Sequence, residues 1–61
     1  MRFEVGQTFQ GTVDISMRAE VIEVSNDGRD AKLKLLTHDG SAFELNAGAV
    51  MAGHQKWRLV P

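Results

Sequence analysis

Between Met1 and Val21 the chain alternates apolar and polar residues with a period of two. Met1, Phe3, Val5, Phe9, Val13, Ile15, Met17, Ala19 and Val21 take odd positions, and polar residues or glycine take the even ones. Gln7 and Gly11 are the breaks in the odd series. Successive side chains of an extended backbone point to opposite sides, so this period belongs to strands with one buried face, and no helical template fits as well. An all-β domain is therefore expected. Gly6 marks an early turn, and Gly11 inside the pattern predicts a bulge or sharp bend. No strong turn dipeptide occurs between Thr12 and Ser25, and the segment reads as two strands joined near Asp14 to Arg18.

After Val21 the apolar phase flips to Ile22 and Val24, which predicts a bulge near Val21. Asn26-Asp27-Gly28-Arg29 carries the Asp-Gly signature of a two-residue hairpin loop, whose central residues need positive φ. That loop sets Val24 opposite Ala31, Ile22 opposite Leu33 and Glu23 opposite Lys32, giving one apolar face and one face of paired opposite charges. At His38-Asp39-Gly40 a three-residue loop pairs Leu35 with Phe43, Leu33 with Leu45 and Lys34 with Glu44. Both registers keep Leu33 and Leu35 on the same face, so Ile22, Val24, Leu33, Leu35, Phe43 and Leu45 are expected to be buried together. Asn46 then suits a helix N-cap, Ala47, Val50 and Met51 lie at helical spacing, and Gly53 suits a helix end. Gln55 to Val60 reads as a last strand, with Trp57 and Leu59 on one face, Lys56 and Arg58 on the other, and Pro61 ending the pairing.

The 61 residues read as one domain, 1–61, and a chain this short buries only about 60% of its unfolded surface. With no cysteine it has neither a disulfide framework nor a thiolate metal site, which leaves oligomerisation as the remaining staple. A cysteine-free chain suits a reducing cytoplasm, and a cytoplasmic location is expected. No signal peptide follows Met1, and no apolar run is long enough to span a membrane. The start at Met1 and the lack of a linker suggest a domain that stands alone. The net charge is −1, with both signs interspersed, which counts against recognition dominated by phosphate.

About five strands, a hairpin-rich middle and one short helical turn before the last strand resemble the SH3-like small antiparallel barrels, a group that includes SH3, Tudor and KOW-type domains. The chain departs from the SH3 pattern in lacking its acidic loop and aromatic ladder, and from the KOW pattern in lacking its glycine-centred signature. An OB-type barrel is the alternative architecture. Ala19 to Leu36, together with the ending Trp57-Arg58-Leu59-Val60, also resembles short bacterial and phage-encoded proteins. That resemblance implies an accessory or inhibitor role for a phage or mobile element.

The candidate binding residues are Trp57, Arg58, Lys56, Lys32, Lys34 and Phe9. Trp57 and Phe9 either fill the core, the usual duty of large side chains in a small barrel, or stack on a ligand at its mouth. Lys32, Lys34, Lys56 and Arg58 face outward and offer a basic stripe, although Glu23 and Glu44 opposite the first two argue for a charge-balanced surface instead. His38 and His54, with Asp39, lack the spacing of a metal site. Ser41, His38 and Asp39 nominally form a hydrolytic trio, but residues sharing one tight turn do not converge on a substrate. No phosphate-binding loop is present.

No catalytic residue, metal or cofactor is expected. The leading expectation is a non-enzymatic module acting through a protein partner or through self-association into a homo-oligomer, by way of its N-terminal strand or the Trp57 strand, with no membrane involved. A nucleic-acid-binding barrel is the second reading. A third is an oligomeric enzyme with its site on a symmetry axis, as in the type II dihydrofolate reductases, which this chain resembles in size and barrel class only.

Overall fold

The computed structural model describes residues 2–53 and 56–60. Five strands are present: β1 (Thr8–Gly11), β2 (Arg18–Ser25), β3 (Asp30–Leu36), β4 (Ala42–Asn46) and β5 (Trp57–Val60), with a helix α1 (Ala47–Met51) before β5. They form one sheet in the order β4-β3-β2-β1-β5, and every neighbouring pair is antiparallel. The expected all-β fold of five antiparallel strands with one short helix before the last strand is present, and the sheet ends at β4 and β5 without closing.

Local turn chemistry fixes both hairpins. Asp27 sits at φ 57°, ψ 33° and Gly28 at φ 86°, and the Arg29 amide donates to the Asn26 carbonyl at 3.1 Å. The connection is longer than the expected two-residue loop: Asn26 also takes positive φ (53°) and Arg29 is helical, so four residues join Ser25 to Asp30, yet the expected register holds, with Val24 opposite Ala31 and Glu23 opposite Lys32. At the second hairpin the Thr37 amide donates to the Ser41 carbonyl at 2.9 Å, and Gly40 takes φ 89°. The three-residue loop pairs Leu35 with Phe43, Lys34 with Glu44 and Leu33 with Leu45.

One residue of the expected register moves. A bulge lies between Val21 and Glu23, so Val21, not Ile22, faces Leu33. Ile22 is the extra residue of the bulge, and the inward series runs from buried Ala19 and Val21 to half-buried Val24. The bulge lets β2 hold the apolar phase of both halves of its sequence on one face.

The alternation also misleads between Thr12 and Met17, where Val13 and Ile15 are 80% and 69% exposed. Asp14 overrides the pattern there. Its carboxylate accepts the Ser16 amide at 3.0 Å, and its carbonyl accepts the Met17 amide at 3.2 Å. A side chain that replaces ladder bonds with local ones turns the backbone.

The inner face holds the core, made of Phe9, Ala19, Val21, Ala31 and Leu33, closed from above by Ala47 and Val50 of α1. Phe3 packs edge-to-face on Phe9 at 6.1 Å, and its amide donates to the Gly28 carbonyl at 2.8 Å. Asn46 stands at the N-cap of α1 without a side-chain capping bond. Packing on the sheet therefore holds this single turn, since a helix so short has little stability of its own.

Two expectations about edges and burial change together. The N-terminal strand β1 is flanked by β2 and β5 and is no edge; β4 is. Phe43 and Leu45 share the inner face with Leu35 and Leu33, but on the outermost strand they remain 54% and 38% exposed.

Candidate functional site

The apolar residues left uncovered on the inner face gather where the sheet stays open. A groove of about 350 Å³ is lined there by Val13, Met17, Leu35, Leu45, Val50 and Trp57. Each wall has its own anchor. Trp57 Nε1 donates to the Val50 carbonyl at 3.2 Å, which fixes the indole across the end of α1. Thr12 donates to the Lys56 carbonyl through both its amide (3.1 Å) and its hydroxyl (2.8 Å), which docks the start of β5 on the Thr12–Met17 loop. Phe43, opposite Leu35 in register, extends the apolar surface along β4.

The rim beside Val13 is polar. Asp14 is held below the usual carboxylate range, chiefly by the Ser16 hydroxyl and then by the Ser16 amide. His38 Nδ1 lies 3.8 Å from Asp14 Oδ2, bringing the β1–β2 and β3–β4 loops together. The Thr37 hydroxyl, followed by the Ser41 amide, lowers Asp39 to about 2. Asp39 thus serves its own turn, and with His38 directed at Asp14 the nominal Ser41–His38–Asp39 trio is not assembled. His54 lies outside the described residues, and among the described residues no group of three or more metal-ligating side chains occurs.

The six candidate binding residues separate. Phe9 is 2% exposed and belongs to the core, which removes it as a stacking surface. Trp57 is half-buried and lines the groove. Lys32 and Lys34 point from the opposite, outer face of β3, across from Glu23 and Glu20 on β2, with Glu44 flanking Lys34 on β4. Arg58 is also on the outer face, where its Nη2 donates to Gln10 Oε1 at 3.2 Å, and Lys56 is exposed just before β5. Because β2 and β1 lie between β3 and β5, the four cations form no continuous stripe.

Sequence reasoning missed Val13, Met17, Phe43 and Leu45 as surface residues, because their apolar character placed them in the core. A second hollow, about 420 Å³, lies against Glu23, Asp30, Lys32, Asn46 and Gly48. Its charges are mixed and no set of donors converges there. No protein-family model, curated protein or solved structure matches this chain.

Proposed function

We propose that this chain is a non-enzymatic binding module of SH3-like architecture, its barrel left open between β4 and β5, that captures an extended segment of another polypeptide along β4. The observation that carries this reading is β4 itself. All five of its residues are exposed, it bounds the sheet, and it adjoins an apolar groove. An edge strand presents unpaired amides and carbonyls that a further strand satisfies, and pockets beside it select alternate side chains.

Charge and face alternation define the segment. On β4, Phe43 and Leu45 face the groove while Glu44 lies on the outer face between them. An added antiparallel strand places its residues directly opposite these, so the complementary pattern is apolar, basic, apolar. The outer face supports protein over nucleic acid as the partner, since glutamates stand opposite Lys32 and Lys34 and weaken the field that phosphates need.

Trp57, the single tryptophan, lines the groove and serves as the reporter. Titrating the blocked peptide Thr-Val-Lys-Val-Thr should change its fluorescence saturably, and Thr-Val-Glu-Val-Thr should not. Equal responses to both peptides, or none to either, contradict the reading.

A further inference from the structure

We infer that one corner of the outer face, where Arg18, Lys56 and Arg58 surround Gln10, binds a doubly charged phosphate group. The site lies on the opposite face of the sheet from the apolar groove and stands independently of strand capture.

The cross-strand registers sort the outward cations into two groups. Lys34 lies between Glu20 and Glu44, and Lys32 lies opposite Glu23, so these two lysines meet opposite charges within the sheet. Arg18 lies instead between Leu36 on β3 and Gln10 on β1, and Arg58 faces the same Gln10 from β5. The Lys56 carbonyl accepts the Thr12 amide at 3.1 Å and the Thr12 hydroxyl at 2.8 Å. This carries the β1–β5 register one residue past Trp57 and sets Lys56 opposite Thr12, on the face of Arg58. All three cations therefore have uncharged register partners, and among the described residues no carboxylate lies within ion-pair distance of them. Asp14, in the adjoining loop, is engaged by Ser16 and His38.

The geometry brings the two arginines towards one point. Directly opposite residues of antiparallel strands point to the same side, and neighbouring strands lie about 4.8 Å apart, so Arg18 and Arg58 flank Gln10 at a backbone separation of about 10 Å. Arg58 Nη2 donates to Gln10 Oε1 at 3.2 Å, which draws its guanidinium over β1, the strand that separates it from Arg18. Gln10 Nε2 donates to the Ile15 carbonyl at 2.8 Å, which fixes the amide and reserves its oxygen for Arg58. Gln10 thus positions an arginine without adding a charge.

The charge count selects the ligand. A guanidinium offers paired N–H donors that match the oxygens of a phosphate, and the lysine adds a point charge. Three cations without a carboxylate among them favour a group with two negative charges over a carboxylate or a phosphodiester, which carry one. A nucleic-acid backbone needs a longer basic track, and here the next row of the face carries Glu20 while β5 ends the sheet on the other side.

The test is a ¹H–¹⁵N NMR titration of the full chain at constant ionic strength, read at the side-chain Nε–Hε signals of Arg18 and Arg58. The probes are inorganic phosphate, methyl phosphate, dimethyl phosphate and acetate. Inorganic phosphate should shift both signals along one saturable curve. A matching response to methyl phosphate assigns the site to a phosphate monoester, and a response to inorganic phosphate without it assigns the site to the free anion. Dimethyl phosphate and acetate should bind at least about fivefold more weakly. R18Q and R58Q, checked for folding by circular dichroism, should each weaken phosphate binding roughly three- to fivefold, whereas K32Q, which removes the same charge beside Glu23, should change it by less than about twofold. The wild-type titration decides the matter even if a variant fails to fold. No saturation below about 50 mM phosphate, where screening alone moves exposed signals, overturns the inference. So do separate curves for the two arginines, equal affinity for acetate, or equal losses in K32Q and R58Q.

Discussion

Trp57 Nε1 donates to the carbonyl of Val50 at 3.2 Å, tying β5 to the last turn of α1 across the apolar groove. This bond settles what the indole does: one side of it packs against the core, and another side lines the groove. Trp57→Phe keeps most of the apolar contact and loses the bond, so it should cost about 1 kcal/mol. Trp57→Ala removes the wall as well and should cost roughly 3 kcal/mol. Urea unfolding followed by circular dichroism measures both.

Gly28 and Gly40 both hold positive φ in hairpin loops, but their surroundings differ. A Cβ at Gly28 would meet the Phe3 carbonyl oxygen at 3.0 Å and the Arg2 side chain at 3.2 Å, whereas a Cβ at Gly40 would meet nothing within 4 Å. Gly40→Ala should cost about 1 kcal/mol through its backbone alone. Gly28→Ala should cost more and should release the N-terminal segment, because the Phe3 amide is bonded to the Gly28 carbonyl. Equal losses of stability in the two variants, with unchanged hydrogen exchange at Phe3, would contradict this assignment.

Leu33 and Phe43 stand on the same face of neighbouring strands, yet Leu33 is 0% exposed and Phe43 is 54% exposed. Leu33→Ala should cost about 2–5 kcal/mol by leaving a cavity. Phe43→Ala should cost under about 1 kcal/mol in the same unfolding measurement at low protein concentration, and it should weaken peptide binding. A core role for Phe43 would give it a loss close to that of Leu33.

Asp39 provides the pH dependence that can be assigned. Its folded value near 2 lies below the usual 3.8 because the Thr37 hydroxyl and the Ser41 amide donate to the charged carboxylate. Between those two values the unfolded chain binds more protons, so stability rises with pH there. The contribution is complete above about pH 4 and is lost as pH falls through 2. Carboxyl chemical shifts should titrate with a midpoint near 2 at Asp39, and Asp39→Asn should flatten this part of the acid limb. A midpoint at 3.8 would mean that the loop bonds do not persist in solution.

Much of the fold was legible in the chain because short-range chemistry specified it. Asp27-Gly28 and His38-Asp39-Gly40 fixed two loops, and the charges Glu23, Lys32, Lys34 and Glu44 agreed with the resulting registers. The Ile22 bulge was foreseen in place but not in detail, since apolar residues at 21, 22 and 24 do not say which one is extra. Val13 and Ile15 read as members of the buried series because period two ignores the side-chain bonds of Asp14 that turn the chain. The groove was not legible at all. Phe43 and Leu45 carry the pattern of buried residues, and only the strand order reveals that β4 has a neighbour on one side alone. Phe9 and Trp57 show the same limit, being equivalent as aromatics in sequence and separated by position, one on a central strand and one at an edge.

The most direct test of strand capture is a two-dimensional ¹H–¹⁵N NMR titration of the protein with Thr-Val-Lys-Val-Thr. Capture along β4 predicts that the largest amide shifts fall on Ala42–Asn46, with the Trp57 indole shifting in step and Lys32 and Lys34 moving little. Shifts centred on the outer face around Lys32, Lys34 and Arg58, with β4 and Trp57 unmoved, would contradict it.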